Sequence, residues 1–254
     1  MNILVCVKRV PATGAKILLT ENAQEIDTRH LAFTISPHEE CGVEEAVRLV
    51  ETHGGSATVL TLGPREASEQ LRRALAMGMN RAVLLETDGG DWDPQATAAS
   101  IVEAIHAQNE AGMAFDILFF GNEAADSGGY QVGIRVARAF DLPCVTGVKA
   151  LEINNGRAVA KREAAGGLEI FEVALPAVFT VKEGLNYPRY PSVRGRLRAK
   201  REPITTLKPQ GAGGGLEKVK LKLPEEQTSA VEILGEGPAA VSKVIEILRE
   251  KELI

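Results

Sequence analysis

The residues with the most chemistry to offer lie between Phe115 and Gly133. The stretch reads Phe-Asp-Ile-Leu-Phe-Phe-Gly, then Asn122-Glu123-Ala124-Ala125-Asp126-Ser127-Gly128-Gly129-Tyr130-Gln131-Val132-Gly133. An apolar run of strand length, Ile117–Phe120, stops at Gly121. After a short polar loop, Val132, Val136, Ala139 and Phe140 recur at helical spacing. A strand, a small-residue loop and a helix start make a phosphate trap, because N–H groups at a helix N-terminus are unpaired and the helix dipole favours an anion there. The expected donors are the backbone groups of Gly128 to Val132. Asp, Ser and Gly also serve simply to cap a helix, and composition leaves both readings open. The loop is neither Gly-x-x-x-x-Gly-Lys-Ser/Thr nor a Gly-x-Gly-x-x-Gly after the first strand.

No catalytic set accompanies the loop. His30, His38, His53 and His106 fall on different predicted elements. Ser127 follows Asp126 without a Gly-x-Ser-x-Gly elbow. Cys6, Cys41 and Cys144 have neither metal-ligand spacing nor a disulfide framework, which favours a reducing compartment. A phosphate loop without nucleophile, acid–base pair or metal site points to a nucleotide held as structure, and to a binding module rather than an enzyme acting alone.

The elements around this loop alternate. Ile3–Val7 is a continuous apolar run suited to a buried parallel strand. Ile17–Leu19 and Glu25–Asp27 predict an exposed hairpin. Ser36-Pro37-His38-Glu39 is a helix start, with Ser at N-cap, Pro at N1 and Glu at N3 for a capping box. That helix runs on through Val43, Ala46, Val47 and Val50 to Gly54-Gly55. Strand Ala57–Leu62, helix 65–76, strand Ala82–Leu85 and a helix opened by Asp91-Trp92-Asp93-Pro94 follow. The alternation predicts an α/β fold with a doubly wound, mainly parallel sheet, whose ligands sit beyond the carboxyl ends of the strands where strand order reverses. After Pro143, four short strands joined by tight turns, with Asn154-Asn155-Gly156 as a hairpin signal, predict antiparallel additions.

From Leu185 onward the chain is poorly suited to a core and reads as an extended C-terminal arm. It carries Pro188, Pro191, Pro203 and Pro209, the Gly211–Gly215 run, and a final amphipathic helix over 238–250. The division expected is 1–184 for an α/β domain and 185–254 for the arm. Arg189, Arg194, Arg196, Arg198, Lys200 and Arg201 fall within thirteen residues free of acids, either as a solvated face or as a docking loop for an acidic protein. With a net charge of −5 over 254 residues, nucleic acid is not an expected partner. No stretch approaches the apolar length of a membrane span, so no membrane insertion is expected. The N-terminus starts directly in a strand, without a signal peptide pattern, and the expected location is the cytoplasm.

At this point the residues resemble a known family, the electron transfer flavoprotein β subunits. The resemblance lies in Ile3-Leu4-Val5-Cys6-Val7-Lys8-Arg9-Val10-Pro11, in Cys41-Gly42-Val43-Glu44-Glu45-Ala46-Val47-Arg48-Leu49 and in Arg73-Ala74-Leu75-Ala76-Met77-Gly78-Met79. It continues in the loop 121–133, in Ala160-Lys161-Arg162-Glu163, Gly166-Gly167-Leu168-Glu169 and Leu175-Pro176-Ala177-Val178, and in Leu185-Asn186, Pro188-Arg189-Tyr190 and Ala199-Lys200. The resemblance implies a Rossmann-like, adenine-nucleotide-binding sheet in a heterodimer. The α subunit would hold most of a redox-active FAD, and the β subunit would bind AMP and dock acyl-CoA or related flavin dehydrogenases through a recognition loop. It further implies that Cys6, Ser36, Pro37, His38, Glu39, Leu62 and Asn122 through Gly133 line the nucleotide site. Val193 takes the apolar anchor of the docking loop, with Arg189, Tyr190, Arg194, Arg196, Leu197 and Arg198 around it. Glu163 takes the acid that influences flavin-domain orientation and partner release. The arm and its terminal helix are expected to pack on α.

Two departures bear on function. Val193 is smaller than the Leu that the family often has. The loop replaces several acids with Ser127, Gly128 and Gly129, and Gln131-Val132-Gly133 resembles β subunits that bind a second FAD and bifurcate electrons. AMP is the favoured ligand and a second FAD the alternative. A stand-alone adenine-nucleotide-binding stress-type protein would use the same sheet without needing the basic arm.

Overall fold

Runs of four or more buried residues, most of them apolar, build the centre of the sheet in this computed structural model. It describes residues 1–12, 14, 16–90, 92–210, 215, 218–224 and 232–254. They divide into two units, Met1–Val219 and Lys220–Ile254. Most of the Gly211–Gly215 run, Thr13 of the loop after the first strand, and Asp91 lie outside the described residues.

The first unit begins with β1 (Asn2–Cys6), β2 (Arg9–Pro11), β3 (Phe33–Ile35) and helix α1 (Pro37–His53). Strand β4 (Ser56–Gly63), helix α2 (Ser68–Met77), β5 (Arg81–Glu86) and α3 (Pro94–Glu110) follow. Next come β6 (Ile117–Gly121), α4 (Val132–Ala139), β7 (Cys144–Asn154), β8 (Arg157–Ala164), β9 (Gly167–Ala174), β10 (Ala177–Val181), α5 (Val193–Arg201) and β11 (Ile204–Leu207). Nine strands form one sheet in the order β11-β5-β4-β1-β6-β10-β7-β8-β9, with antiparallel pairing only at β7–β8 and β8–β9. Strands β2 and β3 pair separately as a small antiparallel sheet. Strand β1 lies between β4 and β6, so strand order reverses there. This is the doubly wound, mainly parallel α/β architecture that the alternation of elements predicts.

Helices cover both faces. On one, Val43, Ala46 and Val47 of α1 and Leu71 and Leu75 of α2 pack with Ile3, Val5, Val59, Phe119 and Phe179. On the other, Ile101 and Ile105 of α3 and Val136 of α4 pack with Leu4, Leu60, Leu118 and Val178. Asp93 caps α3, accepting from the N–H of Gln95 and Ala96, both at 2.8 Å. The Asn155-Gly156 turn has both residues at positive φ, 48° and 74°, as a two-residue hairpin with the right twist requires.

Three details differ from the sequence reading. Helix α4 buries Gly133, Val136 and Ala137 and leaves Ala139 exposed, so its buried stripe is offset. The cause is Gly133, where a Cβ would stand 2.9 Å from Thr180 and 3.1 Å from Phe120; the helix approaches the sheet through the one residue without a side chain. The hairpin expected near Glu21 is reduced to a single antiparallel bridge, Leu19–Ile26. The basic, proline-flanked stretch is not loop throughout. It contributes α5, with Ala199 buried, and β11, which extends the sheet in parallel beside β5.

In the second unit a 3-10 turn over Gly237–Ala240 leads into helix α6 (Val241–Glu250). Its apolar stripe has Val241, Val244 and Ile245 exposed and Leu248 half-buried.

Candidate functional site

The carboxyl ends of β1 and β6 meet at the reversal of strand order, and the expected nucleotide residues converge there from three chain segments. After β1, the Lys8 ammonium reaches across to Asp126 of the loop following β6, at 2.7 Å. The Lys8 backbone N–H donates to the Glu39 carboxylate at 2.9 Å. Glu39 stands in the first turn of α1, which brings that N-terminus to the same crevice. Gly121 makes room for it, since a Cβ there would lie 2.8 Å from Glu39 Cγ. Glu39 is only 6% exposed. Burial pushes its carboxyl up to about 8, against the pull of the Lys8 and Ser36 N–H groups and the Lys8 charge, and Asp126 adds to the rise. Glu39 therefore reaches Lys8 as well as Ser36, rather than closing a reciprocal capping box.

Ser36 is the N-cap of α1, yet its hydroxyl makes no cap bond. It is fully buried with no partner for Oγ, a state that a native structure rarely leaves unused. Cys6 ends β1 buried, and burial raises its thiol well above the usual range. Leu62 at the end of β4 and His38 are half-buried, and Pro37 is exposed.

The loop Asn122–Gln131 is held by its own backbone. Gly128 N–H donates to Ala124 O at 2.8 Å, and Ala124 N–H to Gly129 O at 2.9 Å. Gly128 needs its glycine, with φ at 62°. Its N–H is committed inside the turn, and open donors remain further along the loop and in the first turn of α4, at Val132, Gly133 and Ile134. These precede the first helical bond, Arg135 N–H to Gln131 O. Gly129 faces open space, with Ser127 Oγ the nearest atom a Cβ would meet, at 3.6 Å. Tyr130 donates to Glu123, and Gln131 Oε1 accepts from Arg135 at 2.9 Å. At the base of the loop Asn122 Oδ1 accepts from the Thr180 hydroxyl at 2.8 Å, which itself accepts from Gly147 N–H at 3.2 Å.

Beside the loop opens a cleft of about 460 Å³, lined among others by Asn122, Tyr130, Gly147, Arg162, Glu163 and Lys182. Glu163 is an ion-pair partner of Lys149 at 2.9 Å, which holds its carboxyl below the usual range. It lies in this cleft, whose lining includes none of the residues expected to dock a partner. Among the described residues, no group of three or more His, Cys, Asp or Glu could hold a metal ion.

The residues expected to dock a partner stand on α5 and the strap before it. Arg189 is clamped to α1: its guanidinium bonds Glu44 at 2.9 Å and Glu51 at 2.6 Å, and its N–H also donates to Glu44. Asn186 donates to Cys41 O at 3.0 Å and to Glu45 at 2.9 Å. Ser192 caps α5 by accepting from Gly195 N–H at 3.0 Å. Tyr187, Tyr190, Val193 and Leu197 all point outward, Val193 at 74% exposure. Arg196 lies over the Tyr190 ring at 5.2 Å. Arg198 turns inward, donating to Leu75 O at 2.8 Å. Of the four arginines expected around Val193, Arg189 and Arg198 thus bind the protein itself, and Arg194 and Arg196 remain beside the apolar group. Nothing in the sequence signals that the partners of Glu44 and Glu45 lie 145 and 141 residues further along the chain.

A family model described as the electron transfer flavoprotein domain matches residues 25–211. The electron transfer flavoprotein subunit beta of Bacillus subtilis is 33% identical over 99% of this chain and 98% of its own length. That of Syntrophomonas wolfei is 34% identical over 98% and 96%. The caffeyl-CoA reductase-Etf complex subunit CarD of Acetobacterium woodii is 33% identical over 81% of this chain and 77% of its own. With a family model covering most of the chain and relatives matched from end to end, this chain belongs to the electron transfer flavoprotein family, as a β subunit.

Proposed function

We propose that this chain pairs with an α subunit, holds AMP as a structural ligand, and forms one side of a complex that accepts electrons from acyl-CoA or related flavin dehydrogenases. The observation that carries the nucleotide is the buried, unpartnered Ser36 hydroxyl. It stands beside Glu39 in a crevice that also receives Lys8 and the open N-terminal turn of α4. The residues fit an adenine nucleotide: backbone N–H groups and a lysine for phosphate, and buried polar groups for the base or ribose. FAD, held mainly by α, would supply the redox chemistry. This chain's residues would position it, with Glu163 and Lys149 at the cleft and Tyr190, Val193 and Leu197 offered to the dehydrogenase.

A second FAD in place of AMP is the other reading. The run Gln131-Val132-Gly133, which resembles β subunits that bind a second FAD, favours it. The test of the main reading is co-expression with the α subunit, followed by mixing with an acyl-CoA dehydrogenase and its acyl-CoA. The expected product is a yellow one-to-one complex whose flavin is reduced. A colourless chain that purifies alone and ignores α contradicts it.

A further inference from the structure

Helices α2 and α5 cap one another. Arg198 of α5 donates to Leu75 O and Met79 O, at 2.8 and 3.5 Å, at the carboxyl end of α2. Arg72 of α2 donates to Ala199 O and Glu202 O at the carboxyl end of α5. A cation at a helix C-terminus satisfies orphan carbonyls and complements the dipole. The two backbones also approach unusually closely. A Cβ on Gly195 would stand 2.4 Å from Ala76 O, and one turn on, Ala199 is 2% exposed. One face of α5, Gly195 and Ala199, is therefore pressed on α2, while Val193 and Leu197, also four residues apart, point outward.

A helix of nine residues is not stable by itself in water. Its sequence adds little, with one buried residue and five basic ones. The clasp on α2 is what keeps it folded. An apolar pair held ready loses less freedom on binding than one that must be ordered at encounter.

We propose that Gly195 and Arg72 are positioning residues for dehydrogenase docking, keeping α5 folded on α2 so that Val193 and Leu197 are presented as a preformed pair. The proposal rests on the reading of this segment as the docking surface. Neither residue touches the partner; each acts through α5.

The test uses the complex with α and compares Gly195→Ala, Arg72→Met and Val193→Ala. An acyl-CoA dehydrogenase with its acyl-CoA is the reductant, and amide exchange over residues 193–201 is followed in parallel. Gly195→Ala and Arg72→Met are expected to speed exchange in α5 and to raise the apparent KM for the flavoprotein about tenfold, with kcat changed less than about twofold. Flavin content and reduction by dithionite stay at wild-type values. Arg72→Met keeps the test open if Gly195→Ala fails to fold. Faster exchange with a wild-type KM, in a protein where Val193→Ala does raise KM, overturns the proposal and leaves the clasp purely structural. A wild-type KM in Val193→Ala removes the docking reading itself, and the proposal with it.

Discussion

Glu39 is a carboxyl group held out of water beside the start of α1. Its carboxyl is pushed from an ordinary 4.5 up to about 8, mainly by burial. Between those values the folded chain binds more protons than the unfolded chain, so this residue lowers stability as pH rises through that window. The slope is at most about 1.4 kcal/mol per pH unit. Glu39→Gln has no such slope. Melting temperatures of wild type and Glu39→Gln should therefore diverge in favour of the variant between about pH 5 and about pH 8 and run parallel above. Parallel curves throughout would mean that Glu39 is ionised in the fold. Gly129 offers the complementary test. Its surroundings are open, so Gly129→Val should fold normally and lose only its grip on nucleotide, seen as a lower AMP content and a melting temperature that no longer responds to added AMP. Full retention of AMP would place the phosphate elsewhere.

At the scale of elements, the strap before α5 is held by charge. Glu44 is nearly buried, and Arg189 neutralises it. Arg189→Ala would leave that carboxylate without its counter-charge, holding only the backbone N–H of residue 189, and should cost about 3 kcal/mol in chemical unfolding. An unchanged midpoint would mean that Glu44 takes another partner. On α5, Val193→Ala should weaken reduction by the dehydrogenase by about 1 kcal/mol or more in affinity. Arg194→Glu should slow association most at low salt, where screening is least. Much of this architecture is legible in sequence. Asp93-Pro94, Gly54 and Asn155-Gly156 act on their own neighbours, and the local signal suffices. Helix α5 and β11 are not legible in this way. Ala199 is the one buried residue of α5, and Ile204–Leu207 is too short and too polar to read as a strand until β5 is beside it. The same holds for the site. The loop 122–133 announces itself, but the pairing of Lys8 with Asp126 joins residues 118 apart in sequence and exists only once β1 and β6 are neighbours.

Large apolar side chains stand exposed on both units of the molecule. Tyr187, Tyr190, Val193 and Leu197 are outward on one unit, and Val241, Val244 and Ile245 on the other. Such surfaces mark interaction sites. The chain expressed alone should be colourless and poorly soluble, and co-expressed α should rescue it; a well-behaved monomer would argue against an obligate partner. On the proposed function, this subunit's own crevice holds AMP while α holds the flavin. The most direct measurement is acid extraction of the purified complex, with chromatography of what is released. One FAD and one AMP per complex is the predicted result, and two FAD, or FAD with no AMP, would contradict it.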